Sequence, residues 1–335
     1  MIDGAMQDFP LTLDRFLDHA AKWHPDAEVV SARDDGTVGR INYAELHRRA
    51  RLVSAALDTL NIKTGDRVAT LAWNTQEHVE AWYGIMGMGA VCHTLNPRLT
   101  AEQLGWMIGQ SEASILLASS DLLDLAREVI GSSTNGACRL IALGPVKDDN
   151  DSLDDLLGQP SQEIAWGGFD ETLPSGLCFT SGTTGTPKGV VVPHRGVANM
   201  ALGMGRRLGV GPDDSLLQFA PLNFDASALQ LFVPLLAGGT AVLHHQIGAI
   251  GHQLGVEPHD RAAGDDLFGR EEARLQLLDR EVHDRLERGN IGCGGGALQL
   301  FRGVGGNQNT GSRRVNRFED LERFQTGHRL HVHVE

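Results

Sequence analysis

Residues 180–190 read TSGTTGTPKGV and combine three things that an anionic ligand needs. Glycines let backbone N–H groups close on the ligand, hydroxyls add donors, and the single lysine, Lys188, brings positive charge to phosphate oxygens. The pattern is not a Walker A loop, because counting GxxxxGK from Gly182 puts Pro187 where glycine is required. Nor is it a dinucleotide fingerprint: the nearest candidate runs Gly203, Gly205 and then Leu208, so its third glycine is missing. His194, which follows a strand end in PHR, reads as a structural hydrogen-bonding residue ahead of a catalytic one. His331 and His333 in HRLHVHVE share one face of a strand, and His244 adjoins His245, but no third ligand stands at a recognised spacing. No metal site is expected.

Such a loop needs rigid elements on either side, and GLCFT before it and VVVP after it read as short strands. From Asn42 to Ser120, helical and strand-like segments alternate. Asn42 precedes YAELHRRARLVSAALDTL, where Leu46, Ala50, Val53, Leu57 and Leu60 recur every three or four residues and Glu45 can complete the cap. RVATLAW reads as a strand, Asn74 with Glu77 opens the helix QEHVEAWYGIMGMGA, and AVCHTL reads as the next strand. Thr100 and Gln103 form a capping box for a helix reaching about Gln110, and ASILLAS, DLLDLAREVI and RLIAL continue the alternation. Beyond the loop, a helix begins near Arg195, LLQFAP reads as a strand, a helix runs from about Asp225 to Leu236, and TAVL reads as a strand. Strands alternating with helices imply a parallel sheet covered on both faces. The acids of residues 148–155 and the loose QPSQEIAWGGFDETLPS read as a solvated surface linker, about residues 147–174.

With these flanks, TSGTTGTPKG resembles the phosphate-binding signature of the adenylate-forming (AMP-binding) superfamily, which includes acyl-CoA synthetases, luciferases and non-ribosomal peptide synthetase adenylation domains. Residues 9–243 resemble the N-terminal part of acyl-CoA synthetases, fatty-acyl-CoA ligases above all. From about residue 189, the stretches ending VVVPHRGVANM and LLQFAPLNFDASALQLFVPLLAGGTAVL are similar to peptide synthetase adenylation domains. The resemblance implies an α/β fold class: parallel-sheet, layered α/β subdomains of the adenylate-forming N-terminal domain, truncated, with a poorly ordered tail.

The same resemblance implies that ATP and a carboxylic acid, fatty or amino, give an acyl adenylate and pyrophosphate. A thiol, of CoA or of the phosphopantetheine on an acyl or peptidyl carrier protein, then takes the acyl group, and Mg2+ accompanies ATP. By resemblance, Thr180, Ser181, Gly182, Thr183, Thr184, Gly185, Thr186 and Lys188 form the loop around the β- and γ-phosphates, with Lys188 as a charge clamp. Asp225 in FDAS matches the position where amino-acid-activating domains set a carboxylate against the substrate's ammonium group; it equally suits the cap of the following helix, with Ser227 at hand. No catalytic residue is assigned.

Bulk properties leave room for a small anion bound at one local site. In 335 residues, 29 Lys and Arg stand against 43 Asp and Glu, a net charge of -14 that argues against nucleic acid or an anionic membrane as the main partner. The four cysteines, Cys92, Cys138, Cys178 and Cys293, form no CxxC pair and read as reduced, mostly buried thiols. The absence of a leader or an apolar spanning run places the expected location in the cytoplasm.

The composition breaks at His244. Residues 244–335 hold 15 glycines and 12 arginines but no lysine, tyrosine, tryptophan or methionine. One helix is predicted there, over about residues 270–288, with Leu275, Leu278, Val282 and Leu286 on one face. The chain's only lysines are Lys22, Lys63, Lys147 and Lys188, so no later residue can serve as the family's C-terminal catalytic lysine. The expectation is a partial N-terminal domain over residues 1–243 and an atypical tail over 244–335, consistent with an out-of-frame continuation. An inert, truncated or chimeric fragment with feeble nucleotide binding is the alternative function.

Overall fold

The structure is a computed structural model that describes residues 10–32, 38–133, 138–144, 146, 151–158, 162–180, 187–218, 220–224, 226–243 and 300–302. The chain divides into two units, Met1–Ala262 and Ala263–Glu335. In the second, the described residues form one short strand, Leu300–Arg302. The predicted helix at 270–288, His244, His245, His331, His333 and Cys293 lie outside the described residues.

The first unit opens with α1 (Asp14–Trp23), β1 (Glu28–Ala32), β2 (Val38–Asn42) and α2 (Tyr43–Thr59). It continues through β3 (Arg67–Leu71), α3 (Gln76–Gly87), β4 (Val91–Thr94), α4 (Ala101–Ser111), β5 (Ile115–Ser119), α5 (Leu123–Ser132) and β6 (Arg139–Leu143). The short α6 (Leu153–Leu157) precedes β7 (Pro174–Thr180), β8 (Lys188–Pro193), α7 (His194–Leu208), β9 (Asp214–Gln218), α8 (Ala226–Ala237) and β10 (Thr240–Leu243).

Two sheets result. One runs β6-β5-β3-β4-β7-β8, parallel through β7 and closed by the antiparallel pair β7–β8. Its middle strands read as continuous apolar runs because both faces are covered. Val68, Ile115, Leu117 and Ile141 face a core shared with α2 and α3, while Ala69, Leu116, Ala118 and Ala142 face a second core with α4 and α5. The other sheet carries the order β9-β10-β1-β2, with β1 parallel to β10 and antiparallel to β2. The layered subdomains expected from the sequence are present, and β9 and β10 return to pair with the N-terminal strands, partners that the local pattern did not reveal.

The caps are specific. Thr100 Oγ1 accepts from Gln103 N at 3.3 Å and Gln103 Oε1 accepts from Thr100 N at 3.1 Å, the expected capping box. Thr100→Ala should lower stability by about 1 kcal/mol in urea unfolding. Asn42 accepts from Glu45 N at 2.8 Å, but Glu45 does not close the box; its carboxylate is engaged by Arg48. The cap of α3 is a second correction. Thr75 accepts from His78 N, and Asn74 reaches elsewhere.

The expected linker is not a solvated span throughout. Trp166 lies so close to Gly87 that a Cβ there would sit 2.4 Å from its indole, and Trp166 Nε1 donates to Ser54 Oγ at 2.7 Å. Arg51 covers the ring and donates to Ile164 O at 2.8 Å, pinning this segment to α2 and α3.

Candidate active site

The phosphate-type segment joins the two antiparallel strands of the first sheet. Their register ends on Thr180 opposite Lys188, so Lys188 is the first residue of β8 and residues 181–187 connect the strands. Pro187 is half-buried, Lys188 is exposed, and residues 181–186 lie outside the described residues, as do the side chain of Thr180 and all of Asp225. Of the expected phosphate-site side chains, the described residues thus include Lys188 alone. Cys92 and Cys138 are buried and Cys178 half-buried, and all three are thiols outside any disulfide. Among the described residues, no group of three His, Cys, Asp or Glu side chains is assembled for a metal, and no helix is long and apolar enough to cross a membrane.

The strand that delivers the segment is firmly held. Phe179, one residue before Thr180, packs between His93 on β4 and Trp106 on α4, with ring centroids 5.2 and 5.8 Å away. His93 lies 2.9 Å from Ser111 Oγ through Nδ1, and the Ser111 hydroxyl donates its one proton to Ile108 O, so the ring is the donor at Nδ1. Because β3, β4 and β7 are parallel, Leu71, Thr94 and Thr180 end at one edge of the sheet. Ligands of parallel α/β sheets bind outside that carboxyl edge. A family model for the AMP-binding enzyme matches residues 17–251, most of the first unit and well over half of the chain.

The chain belongs to the AMP-binding enzyme family. Over 199 residues it is 38% identical to a 3-methylmercaptopropionyl-CoA ligase of Ruegeria lacuscaerulensis, a match covering 57% of this chain and 37% of that protein. It is 31% identical over 211 residues to tyrocidine synthase 3 of Brevibacillus parabrevis, covering 62% of this chain and 3% of the synthase. Among solved structures, the anthranilate CoA ligase AuaEII in complex with anthranoyl-AMP superposes with a TM-score of 0.65 at 21% identity, over 74% of this chain and 48% of that one. Both resemblances read from the sequence, to acyl-CoA ligases and to peptide synthetases, therefore recur in the comparisons. The chain spans well under half the length of the curated ligase it matches.

In this AMP-binding chain His194 is structural, as its sequence position indicated. It is fully buried at the start of α7, and its Nδ1 accepts from Leu13 N at 3.1 Å, which ties the N-terminal segment to the end of β8. Burial holds the imidazoles of His78, His93 and His194 down at about 4. Their folded-state pKa lies below the unfolded value, so unfolding takes up protons between about pH 6.5 and 4. Stability is complete above that window and is lost as pH falls through it, by about 1.4 kcal/mol per pH unit for each histidine. Asp14 and Glu80, raised chiefly by burial, work in the opposite direction. The urea midpoint should fall as the pH is lowered from about 7 to about 5.5; proton NMR titration of the three rings checks the cause, and a ring that takes up its proton near about 6.5 contradicts its burial.

The sequence reading missed the partners of Asn74. Its carboxamide bonds Ala220 and Leu222, two residues of the turn that precedes Asp225. A local signal was present, an Asn-Thr pair after a buried strand, but either residue suits the cap, and the choice depends on a segment far along the chain.

Proposed function

We propose that this chain provides the ATP-handling part of an enzyme that activates a carboxylic acid as its acyl adenylate. The acid's carboxylate oxygen bonds to the α-phosphorus of ATP as the bond to pyrophosphate breaks, and a thiol of CoA or of a carrier's phosphopantetheine then displaces AMP. The observation that carries the reading is the glycine- and hydroxyl-rich segment closing the β7–β8 hairpin at the carboxyl edge of the sheet, with an exposed lysine at its end. In this reading Thr180, Ser181, Gly182, Thr183, Thr184, Gly185 and Thr186 offer donors to the outer phosphates, and Lys188 adds charge where the leaving pyrophosphate gains it. Mg2+ would accompany ATP as its counter-ion. Asp225 pairs with the ammonium group of an amino acid substrate, which would separate amino acids from fatty acids.

Thermal unfolding with and without MgATP tests the nucleotide half of the reading. A ligand that binds only the folded state raises the melting temperature with concentration. A rise with ATP that pyrophosphate competes away is expected; no shift at any ATP concentration contradicts it.

A further inference from the structure

Asn74 lies in the turn between β3 and α3, is 4% exposed, and takes no part in the cap next to it. Its Nδ2 donates to Ala220 O at 3.1 Å and its Oδ1 accepts from Leu222 N at 3.1 Å, partners 146 and 148 residues away. The side chain thus pairs with backbone as a neighbouring strand would.

Two more buried amides hold the same turn. Gln218 Nε2 also donates to Ala220 O, and Gln230 Oε1 accepts from Ala220 N at 3.0 Å. Ser227 Oγ donates to Phe224 O at 2.6 Å, fixing the turn's far end to the first residues of α8. Ala220–Phe224 contains a proline at 221 and connects the carboxyl end of β9 to α8. Asn74 therefore joins the carboxyl edge of one sheet to that of the other, and these are the edges at which an α/β fold presents ligands. The three buried carboxamides make four hydrogen bonds to the backbone of Ala220 and Leu222, which hold the turn to one path, while Gln218 Oε1 has no partner among the described residues.

We propose that Asn74 is a positioning residue: by clamping Ala220 and Leu222 it fixes the turn Ala220–Phe224, which immediately precedes Asp225 in the sequence, and through that turn the way the acid is presented. This rests on the acid-activating reading above. Both clamp bonds go to the backbone of this turn, so the effect is expected on the acid and not on ATP.

Hydrogen exchange and kinetics on the full chain test it together. In the unmodified protein the Leu222 amide should be protected, and in Asn74→Ala it should exchange about tenfold faster or more, while the Ala220 amide, held by Gln230, stays slow. The same variant should raise KM for the acid about tenfold and leave KM for ATP within about twofold. Thr75→Ala, which removes the neighbouring cap without touching the clamp, should leave acid KM unchanged and so separates positioning from lost stability. A Leu222 amide that exchanges freely in the unmodified protein, or a parallel rise of both KM values in Asn74→Ala, overturns the proposal, and the first of these needs no variant to fold. If no acid supports turnover in the unmodified protein, the acid-presenting role is overturned along with the function reading, and a Leu222 amide loosened by Asn74→Ala identifies that reading as the step that failed.

Discussion

Lys188→Ala should cut ATP–pyrophosphate exchange by about 10²-fold, the scale seen when one preorganised donor to developing charge is removed. The side chain is exposed at the first position of β8, and the hairpin register there is carried by backbone, so folding should not suffer. The urea midpoint is expected to stay where it was. KM for the acid should hardly move, because the lysine serves the phosphates. Exchange that survives unchanged would remove Lys188 from the mechanism and leave the loop's backbone and hydroxyls to carry the whole charge. Lys188→Arg is not a neutral control, since a planar fork replaces a point charge.

Phe232→Ala should be the most damaging core substitution of this kind, at about 3–5 kcal/mol. Phe232 is 1% exposed and stacks on Phe16 at 5.4 Å, while Tyr83 meets its edge at 5.9 Å and Trp82 lies 6.3 Å away. The ring thereby joins α8 to α1 and α3, elements separated by most of the described chain. A cavity at that junction cannot close without moving one of three helices. A loss in urea of less than about 1 kcal/mol would mean that the three helices can collapse onto the gap.

Much of this architecture can be read locally. The Thr100–Gln103 box, the helix after Asn42 and the strand pair around the phosphate segment all follow from spacing within a dozen residues. What escapes is non-local. β1 pairs with β10 at Val29 opposite Ala241, and no periodicity in either strand names the other. The Asn74 clamp escapes for the same reason: an amide beside a helix start looks like a cap until the turn 146 residues away is in place. Trp166 sits in a run of polar and glycine residues that composition alone assigns to solvent, whereas one hydrogen bond to Ser54 and a bare Gly87 give it a seat. The phosphate segment is the opposite case: its chemistry stands in the sequence, and the described structure adds the hairpin that frames it.

In the proposed function, this chain transfers the adenylyl group of ATP to a carboxylic acid. Incorporation of radiolabelled pyrophosphate into ATP, with fatty acids of several lengths and the common amino acids offered one at a time, tests it most directly. Exchange should require an acid and fall about 10²-fold in Lys188→Ala. Exchange with none of the acids, from protein that is folded by its urea transition, would contradict it and leave an inert member of the family.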